Sequence, residues 1–346
     1  MNQNWQNFLT QMGAQSQDGV VQSFGNLQEE LLATRDGTVL CDLSQFGILK
    51  ITGEEAQSFL QNLLSNDINA VNARTAQLSS FNSAKGRMLA TFLIWQQGTD
   101  YLMQLPRNLS AAMYKKLSMY ILRTKVKISD ASDETVCLGL SGKEAASLLQ
   151  QHLDVVLEQD NAVAQSGNTY VIRIAANRFQ FYTDAHHAAA LWNSFSKLAK
   201  PAGSTCWDWL NIRAGIPVIT PATQEQFVLQ MTNLDLLGGV SFKKGCYPGQ
   251  EIVARTHYLG KQKRRMFLAH VESGNVAAAG DPLFSEDMAG QPCGMVINAC
   301  PAAGGGYDLL AVMQIASRET QNVHLQSLQG AVLHFMPLPY PLPSDE

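Results

Sequence analysis

The sequence predicts an α+β protein made of two related α+β lobes followed by a region of short strands. Three observations carry this prediction. A strand–helix phrase occurs twice, once near residue 51 and again near residue 140. Between these copies, strand-like and helix-like segments alternate. From about residue 265 the pattern becomes short apolar runs separated by Gly, Pro and Asp turns, which suggests a small β-barrel or sandwich.

Residues 1–37 are rich in Asn and Gln, and that composition reads as a loose lead-in with one short amphipathic turn at Trp5, Phe8 and Leu9. Residues 46–51 are strand-like. Thr52-Gly53-Glu54-Glu55 has the pattern of a capping box and predicts a helix starting at Thr52, with Ala56, Phe59, Leu60, Leu63 and Leu64 on one face. Residues 51–60 (ITGEEAQSFL) and 140–149 (LSGKEAASLL) are identical at five of ten positions. A strand over 101–105, a helix from Ser110 to about Leu122 and a strand over 125–129 lie between the copies. After them, 169–175 and 178–183 form a hairpin around Ala176-Asn177, Asp184 caps a helix through about Leu198, and Ser204 caps another through Arg213, stopped by Gly215-Ile216-Pro217. Residues 266–271, 294–298, 309–315 and 332–335 are the clearest late strands. These features divide the chain into a lead-in (1–37), a two-lobed region (38–260) and a β-region (261–346).

With 346 residues the chain has ample material for core, and 46% hydrophobic with 16% charged residues is ordinary for a globular protein. A net charge of −4 argues against a bulk electrostatic grip on nucleic acid. The first basic residue is Arg35, so no secretory leader is expected, and no apolar run approaches the ~20 residues that span a bilayer. Six cysteines without a Cys-x-x-Cys pair, and with no His at zinc-ligand spacing, point to reduced thiols in the cytoplasm and to no metal centre.

The most informative run is Lys243-Lys244-Gly245-Cys246-Tyr247-Pro248-Gly249-Gln250-Glu251. Cations beside a cysteine favour the reactive thiolate. Two glycines and a proline bend the chain, and Gln250 and Glu251 supply polar groups beyond the bend. An isolated Lys-Gly-Cys would read as a turn with an inert thiol.

Extended to Gly239–Glu251, this run closely resembles the signature of the YgfZ-type folate-binding proteins, relatives of aminomethyltransferase, the T-protein of the glycine cleavage system. Ile51-Thr52-Gly53, Ala84-Lys85-Gly86-Arg87-Met88, Gly215-Ile216-Pro217-Val218-Ile219, Gln230-x-Thr232-Asn233-Leu234 and Pro337-Leu338-Pro339-Tyr340 resemble the same family. The resemblance implies a GcvT-like fold, with two ferredoxin-like lobes that form a folate pocket and a C-terminal Greek-key β-barrel. It implies tetrahydrofolate as ligand, and a role in support of iron–sulfur enzymes or assembly factors, with tRNA methylthiolation reached indirectly. It makes Cys246 and Lys244 the candidate catalytic pair. Carried over by position, Phe46 and Trp207 become candidates for contact with a flat pterin or aminobenzoyl ring, with Trp209 the rival of Trp207. Lys243, Tyr247, Gln250, Glu251 and Arg255 complete the candidate cofactor-binding set, with Arg87 and Arg213 as further partners for a glutamate tail.

One departure bears on activity. Aminomethyltransferases carry a carboxylate where this chain has Ala90 and Thr91, and neither residue can serve as that base. A folate-dependent one-carbon transferase remains an alternative. So does an RNA-binding module, because Arg255, His257, Lys261, Lys263, Arg264 and Arg265 form a basic stretch around Tyr258. Cys246 itself is open to reading as nucleophile, cluster contact or redox thiol.

Overall fold

The structure, a computed structural model, describes residues 2–260, 262–272 and 274–343. The chain divides into two compact units. The first holds Met1–Leu60, Ile68–Gln77 and Phe92–Trp207, and the second holds Gln61–Asp67, Leu78–Thr91 and Asp208–Glu346.

A six-stranded sheet organises the first unit, in the order Val163–Ser166, Thr169–Ala175, Arg178–Thr183, Val136–Gly142, Thr38–Asp42, Lys200–Ala202. Every pairing is antiparallel except the last, which is parallel. Leu40, Leu138, Leu140, Phe179 and Phe181 form an apolar core with Leu148 and Leu149 of the helix Ala145–Leu153 and with Trp192 and Phe195 of the helix Ala185–Phe195. The hairpin around Asn177 forms as predicted, with Asn177 at φ +56°. Asp184 caps its helix by accepting from the backbone N–H groups of His186 and His187. That helix ends at Phe195, so Leu198 is left 65% exposed.

The N-terminal segment is folded, which corrects the expectation of a loose lead-in. Trp5 and Leu9 sit four apart on the helix Gln3–Gln11 and join the same core. Trp5 Nε1 donates to the buried Asp42 carboxylate at 2.8 Å. The asparagines act locally: Asn2 and Asn26 accept from backbone N–H groups at the starts of Gln3–Gln11 and Leu27–Asp36. Buried Glu30 holds the backbone N–H groups of Phe24 and Gly203 at 2.6 and 2.9 Å. Composition reads Asn and Gln as solvating, whereas here Asn2 and Asn26 cap helices that carry buried residues.

The first unit also contains Phe46–Thr52, which pairs antiparallel with Asp100–Pro106 on one side and Lys127–Asp130 on the other, while residues 92–97 of the strand Met88–Gln97 pair with Asp100–Pro106. The repeated phrase is a structural repeat, but its hydroxyl is not a helix cap. Thr52 ends a strand and the helix starts at Ala56, and in the second copy Gly142 ends a strand and the helix starts at Ala145. What the copies share is a glycine with positive φ, +115° at Gly53 and +127° at Gly142. A Cβ on either would collide with a neighbouring backbone carbonyl, that of Lys125 or Gly37. Glu55, the expected capping partner, accepts instead from the Lys125 backbone N–H at 2.6 Å. The helix expected from Ser110 runs over Arg107–Ser118; Met113 and Leu117 face inward, but Tyr120 lies beyond its end and is exposed.

In the second unit, six strands form a curled antiparallel sheet in the order His324–Leu325, Pro282–Phe284, Gly294–Pro301, Tyr307–Gln314, Arg264–Val271, His334–Met336. Its core includes Phe267, Leu283, Val296, Leu309, Met313 and Cys293. Among the described residues no helix is long and apolar enough to cross a membrane.

Trp5→Ala should lower the unfolding free energy by about 3–5 kcal/mol, the cost of a large buried truncation. Leu198→Ala should change it by less than about 0.5 kcal/mol. Urea denaturation followed by tryptophan fluorescence checks both.

Candidate functional site

The thiol loop belongs to the second unit. Lys244, only 8% exposed, points inward, and its Nζ donates to the carbonyls of Gln61, Leu64 and Asn66 at 2.6, 2.6 and 3.0 Å. These carbonyls lie at and just past the end of the helix Ala56–Leu63, where unmatched C=O groups and the helix dipole favour a cation. An ammonium has three N–H donors, and here all three are occupied. Burial lowers the Lys244 pKa to about 8, with Asp67 opposing the shift. Its Nζ also lies 5.3 Å from the centre of the Tyr247 ring. Tyr247 is buried, which raises the pKa of its hydroxyl.

Serines and an asparagine extend this anchor. Ser65 Oγ donates to the carbonyl of Gly239 at 2.8 Å, and the Ser241 N–H donates to the carbonyl of Ser65 at 3.1 Å. Asn66 Nδ2 bridges the carbonyls of Leu78 and Gly238 at 2.8 and 2.6 Å. The loop is therefore fixed on both sides of Phe242, and the two lysines next to the thiol part company. Lys244 is consumed inside, while Lys243 and Cys246 are exposed. Among the described residues Cys246 is the one cysteine with an exposed thiol; Cys41, Cys137, Cys206, Cys293 and Cys300 are buried.

After Cys246 the chain turns at Pro248-Gly249 into the helix Gln250–Leu259. Gly249 has φ +76°, and a Cβ there would lie 2.5 Å from Gly86 Cα and from the Ser83 carbonyl. Gly86 itself has φ +70°, and a Cβ on it would lie 2.9 Å from Ile252. Two glycines thus let the Ala84–Met88 turn meet the start of the thiol-loop helix backbone to backbone. Gln250 Nε2 reaches back to the Lys244 carbonyl at 3.3 Å, while Glu251 and Arg255 are exposed. Gln230 Nε2 secures the helix at the Val253 carbonyl (2.7 Å), and Asn233 Nδ2 holds the Met266 carbonyl (2.9 Å). Tyr340 from the C-terminal tail donates to the Gly215 carbonyl at 2.8 Å.

A second cluster, buried in the first unit, has no counterpart in the sequence reading. Arg178, Gln180 and Tyr182 alternate with Phe179 and Phe181, so they occupy the sheet face opposite the apolar core. Register adds Cys137, Gly139 and Cys41 to that polar face. Facing it, Phe46, Ile48, Leu102, Gln104 and Trp95 share one face of the second sheet by register. The Tyr182 hydroxyl lies within hydrogen-bond reach of the amide oxygens of both Gln104 and Gln180. Cys137 Sγ donates to Gln104 at 3.7 Å, and the Trp95 and Tyr182 rings are 4.0 Å apart. Burial pushes the Tyr182 hydroxyl and the Cys137 thiol well above their ordinary pKa values. The indole N–H groups of Trp95 and Trp207 are buried and meet no acceptor among the described residues. Polar–apolar alternation over 178–182 was the available signal, but alternation ordinarily marks a face turned to water.

Two openings border this layer. A polar groove of about 280 Å3 includes Lys50, Glu134, Gln165, Tyr170, Tyr182 and Asp184 in its wall. A cavity of about 20 Å3, room for one water, is lined by Trp5, Asp42, Phe46, Arg107 and Cys137, among others. Phe46 is half-buried at that cavity. Trp207 is fully buried between Gly139 and the Arg178 guanidinium, 4.3 Å from its ring, so it packs in the core and offers no open face to a ligand. Trp209 Nε1 donates to the buried Asp308 carboxylate at 2.9 Å, which also holds His270 Nδ1 at 2.8 Å. Two of the candidate arginines are engaged elsewhere, Arg87 with the carbonyls of Glu225 and Gln226 and Arg213 with Asp308. Ala90 is buried, and Thr91 Oγ1 accepts from the Ile219 N–H at 3.3 Å, a backbone-bracing contact. In the basic stretch, Arg265 pairs with Asp235 at 2.8 Å, and Lys261 lies outside the described residues. Among the described residues no group of three or more His, Cys, Asp or Glu could hold a metal ion.

Comparison with known proteins places this geometry. Residues 6–240 match the GCVT N-terminal domain family. A curated relative, the tRNA-modifying protein YgfZ of Colwellia psychrerythraea, is 34% identical over 237 residues, covering 68% of this chain and 72% of its own. The crystal structure of the glycine cleavage system aminomethyltransferase T from Bartonella henselae superposes with a TM-score of 0.81 at 16% identity, over 98% of this chain and 97% of that one. That likeness establishes the fold.

One of the six thiols should react rapidly with Ellman's reagent in the folded protein, and Cys246→Ala should abolish that phase. Lys244→Met should destabilise the protein by about 1–3 kcal/mol, because it strands buried carbonyls. The pH dependence has a defined sign. Folded Lys244 releases its proton near pH 8 and unfolded Lys244 near 10.5, so the unfolded chain binds more protons between those values. Wild type should therefore gain stability relative to Lys244→Met as pH rises from about 8 toward 10.5, as read from urea midpoints.

Proposed function

We propose, since the chain belongs to the GCVT N-terminal domain family and is homologous to the YgfZ-type proteins, that it is a tetrahydrofolate-binding accessory protein supporting iron–sulfur enzymes. In this reading tRNA methylthiolation depends on it indirectly, and Cys246 is the functional thiol of a cytoplasmic protein. The observation that carries the proposal is the exposed Cys246 on a loop anchored by the buried Lys244. An inert thiol needs no such support, whereas a working thiol must be presented at a fixed place.

The first unit has residues that fit a folate. A reduced pterin keeps a flat pyrimidine ring with donors and acceptors around its edge, joined to a flat aminobenzoyl group. The groove walled by Tyr170 and Tyr182 offers aromatic surface, with the amides of Gln104 and Gln180 next to the Tyr182 hydroxyl, while Trp95, like Trp207, is closed into the interior. Phe46 lies on the same sheet face as Gln104. The reading takes the repeated strand–glycine–helix units as ferredoxin-like lobes and the curled sheet as a Greek-key barrel. Aminomethyl transfer is disfavoured because Ala90 and Thr91 supply no carboxylate.

Calorimetry with tetrahydrofolate should give binding to wild type and equal binding to Cys246→Ala, with a loss of about tenfold or more for Gln104→Leu. Absence of binding by wild type overturns the ligand assignment. In cells lacking the protein, Cys246→Ala should fail to restore iron–sulfur enzyme activity, and full restoration would end the thiol proposal.

A further inference from the structure

The helix after the thiol loop carries an aromatic cluster on its outside. The Phe242 and His257 rings stack at 3.7 Å with an interplanar angle of 11°, and Tyr258 packs edge-on against both. Tyr258 is 65% exposed and Ile252 is 38% exposed. The neighbourhood is basic although the chain is acidic. Lys85, Arg87, Lys243, Arg255 and Lys263 are exposed or partly exposed on the helix and the segments joined to it, against Glu251 alone on the helix itself. The stack positions Lys243 beside the C-terminal half of the helix, and the Gly86–Gly249 contact positions Lys85 at its start.

Exposed rings beside exposed cations, on a helix that carries one carboxylate, suit a polyanion whose units have flat apolar faces. A protein partner would favour a larger apolar patch and would not require the excess of positive charge. We infer that this face binds single-stranded RNA, with an unpaired base stacking on Tyr258 and the Phe242–His257 pair while the cations follow the phosphates. The inference goes beyond the accessory role above, in which tRNA is reached only through client enzymes. It is independent of folate binding.

The test uses the full chain and two probes, a fluorescent 12-nucleotide oligouridylate and an unmodified tRNA transcript, titrated by anisotropy from 50 to 200 mM salt. Wild type should bind at least one of them, with affinity that falls steeply as salt rises. Tyr258→Ala should weaken binding about tenfold. Lys263→Glu should weaken it and flatten the salt dependence, whereas Lys197→Glu, an exposed lysine of the other unit, should change neither. Tetrahydrofolate calorimetry on Tyr258→Ala should match wild type, which separates this inference from the folate reading. No binding of either RNA at 50 mM salt, or binding that Tyr258→Ala leaves unchanged, overturns it. Equal loss with Lys197→Glu reduces the effect to bulk charge and also overturns it.

Discussion

The arrangement around Cys246 depends on one buried cation. Desolvating an ammonium is costly unless its donors are all satisfied, and Lys244 meets that condition with three backbone carbonyls. Those carbonyls belong to a stretch more than 170 residues away in sequence, so the interaction ties a distant helix end to the thiol loop. Ser65 and Asn66 then fasten the chain before the loop. The thiol can be exposed without being loose because the residue two places earlier is fixed.

Close backbone approach does similar work elsewhere. Gly86 and Gly249 touch where no side chain would fit, and Gly53 and Gly142 let two strands pass against neighbouring carbonyls. These contacts explain why the family-like segments occur together. The Ala84–Met88 turn meets the thiol-loop helix, Gln230 and Asn233 pin that helix and the following strand, and Tyr340 closes on Gly215. The short motifs that looked like a signature are largely the mutual contacts of one assembly.

Much of the secondary structure was legible. The 169–175 and 178–183 hairpin and the Asp184 cap follow directly from alternation and capping chemistry, and the helix over 204–213 forms where it was expected, with Ser204 as its first residue. The errors have local causes. Thr52 and Glu55 imitate a capping box, but strand pairing extends through Thr52 and Glu55 is taken by the Lys125 backbone. The Asn-rich start imitates disorder because composition ignores that Trp5 and Leu9 share a helical face.

The sequence by itself determined the α+β class, the repeat and the bent thiol loop, because periodicity, glycines and the order of polar groups are local properties. Only the tertiary structure decided what the polar residues do. Lys243 and Lys244 are identical neighbours in the chain, yet one is exposed and the other is buried on three carbonyls. Arg178, Gln180 and Tyr182 have the pattern of a wet sheet face, yet they are buried opposite a second sheet. Trp207 is closed into the core by Gly139 and Arg178. Whether a polar side chain meets water, a carbonyl or another side chain depends on segments far away in sequence, and no local pattern encodes that.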